Sequence, residues 1–326
     1  MTSGESESRT PAGSPRGRSA FGAGLAYAAA SYVLWGILPV YFLLLDPTGP
    51  IEIVAWRVLL SLAFCVVLIA IVRGWRRLRA ILRDRRAVAW LLLAGMLVTV
   101  NWTTFVIATL TGHVVEASLG YFITPLVTVL LGVLLRERLR PLQWVAIGVG
   151  AVAVVVLVVG YGSFPWIAVL LALSFGFYGL VKNRVAGRVD AISGLAIETA
   201  WLAPLAAVAL IWVGASSGVT LGQHGAWHTV ALLCAGAVTA VPLLLFAAGT
   251  RRLPLTVVGL TQYLTPILQF ITGVAILAEP MPTARWIGFA IVWLALIVLT
   301  VDVVVHSRAR SRALRRTSRS GDVTRL

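Results

Sequence analysis

Ten runs of mostly apolar residues follow one another along the chain, at 20–45, 51–72, 87–110, 114–135, 141–160, 165–183, 191–214, 226–250, 254–278 and 284–305. A helix needs roughly 20 such residues to cross the hydrocarbon core of a bilayer. The pattern therefore predicts an all-α integral membrane protein of about ten transmembrane helices. The connections are short and marked by Pro47, Gly49 and Pro50, then by Gly112, Pro141, Pro165, Pro254 and Pro282. The first run is too long for the core of a signal peptide and no cleavage site follows it, so it is expected to stay as the first helix.

Composition agrees. Hydrophobic residues make up 59% of the chain, charged residues only 12%, and the mean hydropathy is +0.93. A soluble domain of this length needs far more charge to cover its surface. The net charge of +15 could suggest nucleic acid, but the basic residues sit at the ends of apolar runs, without a basic stripe interleaved with aromatics. Of the 27 Lys and Arg residues, all but Arg57 and Arg285 fall in alternate connections or in the two tails. That alternation fits ten spans and places both termini in the cytoplasm of a multi-pass inner-membrane protein. Residues 1–19, rich in Ser, Gly, Pro and Arg, read as a disordered cytoplasmic tail, and 306–326 as a basic one. Cys65 and Cys234 lie within apolar runs and read as packing residues. Neither a metal nor a cofactor is expected.

The chain also matches itself. At an offset of about 141 residues Thr124-Pro125 meets Thr265-Pro266 and Phe122 meets Tyr263. The same offset pairs Gly95 with Gly236, Phe105 with Phe246 and Gly132 with Gly273; Glu137 and Glu279 each follow the fourth span of their half. Two units of five spans, 20–160 and 165–305, result. An odd number of spans per unit makes tandem copies point in opposite directions, which is the inverted-repeat plan of many secondary transporters.

With those residues in view, the chain resembles a known family. The stretch NWTTFVIATLTGHVVEASLGYFITPLVTVLLGVLLRERLRPLQW is similar to the centre of RarD-type permeases, EamA-domain members of the drug/metabolite transporter superfamily. YVLWGILPVYF, YGSFPWIAVLLALSFGFYGLVKN, VPLLLFAAGTRRLPLTVVGLTQYLTPILQF and GFAIVWLAL extend the likeness over roughly residues 21–303. The resemblance implies a ten-helix permease with a central cavity between two EamA-like repeats, and relatives that export amino acids and other metabolites. No GxxxxGK[ST] occurs, so ATP-driven pumping by this chain is not expected.

Ionisable groups inside hydrocarbon are costly and mark function unless they pair or snorkel. Arg57, in the second span, can bind a carboxylate substrate or pair with an internal acid; the plainer reading is a structural pair. Glu198, at its repeat-equivalent position, can carry a proton, partner Arg57, or be held by local hydroxyls such as Thr199. Glu116 opens the fourth span, where an acid meets the helix dipole, or forms a proton-access pair with His113. Trp35, Asn101, Trp102, Tyr121, Gln262 and Tyr263 combine polar handles with flat faces suited to a metabolite or planar drug, against the alternative of helix packing. Pro125 and Pro266 remove backbone donors at symmetry-related places and are candidate hinges. Gly120, Gly132 and Gly273 read as packing contacts. His224 and His228 read as solvated loop residues. The expected activity is alternating-access transport of a small solute, directed outward and coupled to protons. A passive facilitator is the main alternative. A membrane enzyme acting on lipid-linked substrates would need a nucleophile–base constellation that the sequence lacks.

Overall fold

The computed structural model describes residues 15–323 apart from 135–138, 162–163, 186 and 254. Glu137, expected to match Glu279, and the connection mark Pro254 lie outside those residues, as do residues 1–14 of the expected tail. Among the described residues every regular element is helical: α1 Pro15–Gly36, α2 Leu38–Leu43, α3 Pro50–Ile71, α4 Trp75–Arg83, α5 Arg85–Leu110, α6 Val114–Leu134 and α7 Pro141–Tyr161 in the first half. The second half contains α8 Trp166–Val185, α9 Ala191–Ser216, α10 Gly225–Leu233, α11 Ala235–Thr250, α12 Leu255–Thr261, α13 Leu264–Ile271, a π-turn at Thr272–Ile276, and α14 Thr283–Val323.

Nine helical segments among the described residues are long and apolar enough to cross a membrane, and they coincide with the second to tenth expected spans. The remaining span, expected at 20–45, is built from α1 and α2, with a break at Ile37. Pro39 explains the break. It has no amide hydrogen for the carbonyl of Trp35, four residues earlier. In hydrocarbon such a carbonyl needs another donor, and Gln269 Nε2 supplies it at 3.3 Å. At the two ends, α1 starts at Pro15, inside residues 1–19, and α14 continues as helix through residues 306–323 of the basic tail.

The packing obeys the repeat. α3 lies against α9 and α7 against α14, each pairing equivalent members of the two halves. The contact of α6 with α8 has its counterpart in α13 with α1, that of α5 with α8 in α11 with α1, and that of α5 with α9 in α11 with α3. Exchanging the halves thus maps the main helix contacts onto themselves. Equivalent glycines make two of these approaches possible. A Cβ on Gly95 would stand 3.1 Å from the Glu198 carbonyl oxygen of α9, and one on Gly236 would collide with the Leu60 carbonyl of α3. Gly120 seats α6 in the same way on Ala168 of α8, with 2.7 Å between the notional Cβ and the carbonyl oxygen.

Candidate functional site

A cavity of about 1080 Å³ lies between the two halves. Its walls come from α1 to α6 and α8 in sequence order, from α9, α11 and α13, and from the Gln262–Tyr263 break before α13. It extends to the connections that carry Arg77, Arg188 and Arg251, here termed the basic face.

Arg57 is buried in α3 and contributes to the wall. Its Nε donates to Thr239 Oγ1 of α11 at 3.1 Å. The rings of Trp102 and Phe42 lie against the guanidinium, with centroids 4.5 and 5.1 Å from Cζ. Its Nη1 is buried without a hydrogen-bond partner, and among the described residues it forms no ion pair.

The expected pairing of Arg57 with Glu198 does not form. Glu198, 1% exposed at its side chain, is bound by Lys182 Nζ of α8 at 2.6 Å and by the Tyr178 hydroxyl at 3.4 Å. Thr199 instead donates to the Leu195 carbonyl of its own helix. Glu198 is therefore set behind the cavity, and Lys182 and Tyr178 present its partners' surface to it.

Asn101 and Tyr121 satisfy each other. The Tyr121 hydroxyl donates to Asn101 Oδ1 at 2.9 Å, while Asn101 Nδ2 donates to Ser174 Oγ and the Leu171 carbonyl of α8. Trp35 forms an aromatic cluster with Tyr32 and Phe246, all centroids within 5.9 Å. Gln262 and Tyr263 form the two-residue break between α12 and α13 and line the cavity. Pro125 and Pro266 also reach it, but they act differently on their helices. α6 continues through Pro125, whereas the second half breaks just before Pro266. The Gln262 carbonyl, deprived of the amide of residue 266, accepts from Thr265 N at 3.3 Å.

Glu116 is not at the cavity. Its Oε1 accepts from Ile167 N at 3.0 Å, capping α8 rather than serving its own helix, and His113 turns to Thr111 instead. Two further carboxylates hold backbone amides at that end, Glu279 at the start of α6 and Glu52 in the loop before α10. Glu279 accepts from Val114 N and Val115 N at 2.6 and 2.9 Å, and Glu52 from Thr220 N at 2.9 Å. Burial pushes the Glu279 carboxyl above the usual carboxylate range, opposed by those two amides. His228, expected in solvent, is buried there, with Nε2 within 2.9 Å of Thr48 Oγ1 and 3.1 Å of the Leu45 carbonyl. His224 is exposed as expected. These contacts tie the elements together at the end opposite the basic face, and none of Glu52, Glu116, His228 and Glu279 lines the cavity.

With this geometry in place, the relatives are informative. The sequence profile of the EamA-like transporter family matches twice, at residues 22–159 and 164–301. The chain belongs to the EamA-like transporter family. Both matches fall on the five-helix halves described above. Protein RarD of Streptomyces exfoliatus is 44% identical over 89% of this chain and 91% of its own. Protein RarD of Escherichia coli K12 is 39% identical over 89% and 97%. The Chloramphenicol-sensitive protein RarD of Pseudomonas aeruginosa is 32% identical over 92% and 98%. A solved crystal structure superposes with a TM-score of 0.56 at 20% identity, covering 87% of this chain and 98% of that one, which speaks for the fold alone. The protein is thus a multi-pass inner-membrane transporter of a small solute, in a family whose members are usually not enzymes.

Several site residues escape sequence reasoning. Lys182 reads there as one more charge of a connection; its distance in sequence from Glu198 hides that α8 and α9 bring them together. Gln269, whose Oε1 is buried without a partner, sits in an apolar run, and an amide in such a run was a signal in itself. Nothing in the sequence separates Thr239 from the other membrane threonines.

Proposed function

We propose that this protein is a secondary transporter that exports a small organic solute by alternating access, with both termini in the cytoplasm. One observation carries the reading: among the described residues a large cavity is walled by both inverted repeats and reaches the basic face, while the bonded helix ends opposite, none of which lines it, are read as its sealed end. With the basic face cytoplasmic, this is the inward-facing arrangement, and the equivalent arrangement of the repeats faces outward. The sealed end favours alternating access over a passive facilitator, which would need a continuous path. Arg57, Asn101, Trp35, Trp102, Tyr121, Gln262 and Tyr263 are assigned to solute contact, and Pro125 and Pro266 to the rocking of α6 and α13. Glu198, clasped by Lys182, is assigned to proton coupling, since losing that clasp would favour its neutral form. Glu116 is assigned to the closed end.

The test compares metabolites outside and inside cells overexpressing the protein with those of empty cells. At least one compound is expected to accumulate outside, and its efflux from proteoliposomes is expected to respond to an imposed pH gradient. Efflux indifferent to the gradient would remove the coupling while leaving export. An unchanged metabolite profile would count against export itself.

A further inference from the structure

We infer that the solute is an organic anion, whose carboxylate or similar oxyanion binds the guanidinium of Arg57 while its flat apolar part lies among the cavity aromatics. The inference rests on the reading of this cavity as the transport site.

The argument starts from an imbalance. A fully buried guanidinium is expensive unless an anion and hydrogen bonds compensate it. Arg57 has one hydrogen bond through Nε and two ring contacts, but Nη1 is buried without a partner and no carboxylate pairs with it among the described residues. Its repeat-equivalent acid could have neutralised it, yet Glu198 is already committed to Lys182 at 2.6 Å. Arg57 is thus charged, buried and incompletely satisfied at the wall of an otherwise aromatic cavity. The missing partner is an oxyanion with lone pairs directed in the guanidinium plane, because rings already crowd that group.

The route to the site points the same way. Cavity-lining cations are Arg57, Arg77, Lys182, Arg188 and Arg251, and the lining acids are Asp84 and Asp190. Both acids are in use: Asp84 caps α5 and faces Arg188, and Asp190 caps α9. The walls therefore carry an excess of positive charge that concentrates anions and repels cations on entry. Beyond Arg57, Trp102, Tyr121, Trp35 and Tyr32 offer flat, mostly apolar surface to the rest of the solute.

The test uses the purified full-length protein in detergent, with benzoate, benzamide and benzylammonium at matched ionic strength as probes of equal shape and different charge. Thermal unfolding reads out binding. Benzoate is expected to raise the midpoint of the parent protein, and the two others are not. In Arg57→Gln the concentration needed should rise about 10- to 100-fold, the worth of a charge-assisted hydrogen bond, and Arg57→Lys should recover part of it. Stabilisation by benzamide or benzylammonium equal to that by benzoate, no stabilisation by any probe, or a benzoate effect unchanged in Arg57→Gln each overturns the inference. The comparison among probes on the parent protein holds even if a variant fails to fold. The cell-export comparison separates the two readings. Export of neutral or cationic compounds indifferent to Arg57 would remove the anion and keep the transporter. Benzoate binding at Arg57 without any exported compound would keep the anion site and remove the transporter.

Discussion

Lys182 and Glu198 are the ion pair on which the cavity wall depends. The carboxylate is 1% exposed and the ammonium 28%, so removing the cation strands a charge that water cannot reach. Lys182→Met is therefore expected to cost roughly 3 kcal/mol, near the low end for a broken buried pair because Lys182 is partly hydrated. Adding Glu198→Gln to it should restore most of the loss. Thermal unfolding of the two single variants and the double variant in detergent checks this, and additive losses would show that the pair is not coupled. Intramembrane charges such as Arg57 and Glu198 were visible in the sequence because they interrupt apolar runs. Their partners were not. Which of many threonines meets Nε, or which loop lysine meets Glu198, depends on how helices rotate about their axes, and hydropathy carries no information on that.

At the level of helices, glycines decide how closely the halves approach. Gly236→Ala would push a methyl group into the backbone of α3, and overpacking of this kind costs about 1–3 kcal/mol. Gly259→Ala in α12 meets nothing within 4 Å and replaces a flexible helical residue, so it should be neutral or stabilising by up to about 1 kcal/mol. Unfolding midpoints of the two variants should move in opposite directions or differ clearly. The closed end offers a second prediction. Glu279 is the acceptor for two amides at the start of α6, and Glu279→Ala should favour opening there, read as faster labelling of a cysteine placed at Val115 by a membrane-impermeant maleimide. Because burial raises the proton affinity of this carboxyl in the closed form, acidification through and just above the usual carboxylate range should favour closure and slow the labelling. Glu279→Gln should abolish that pH dependence. Span positions and the repeat were legible because lipid imposes length and the loops impose charge. The break at Ile37 was legible in principle from Pro39. The capping of α8 by Glu116 was hidden, since an acid in a first turn reads most simply as serving its own helix.

For the molecule as a whole, the distribution of Lys and Arg predicts sidedness. A cysteine introduced at Thr250, on the cavity wall near Arg251, should react with an impermeant reagent from the cytoplasmic side only, in right-side-out and inverted vesicles compared directly. Reaction from the opposite side would reverse the assigned orientation.

The caps at the sealed end are linked in series. Glu279, just before α14, holds α6; Glu116, one residue beyond the amides that Glu279 holds, grips α8. A movement of α6 away from its neighbours therefore breaks both grips together, so half-open states retain little of the bonding and gain little of the space. In the proposed alternating-access cycle this end would behave as a latch rather than a valve. A transporter built this way resists leaking between turnovers, since a fluctuation large enough to admit a stray ion must first undo two carboxylate clasps on different helices at once.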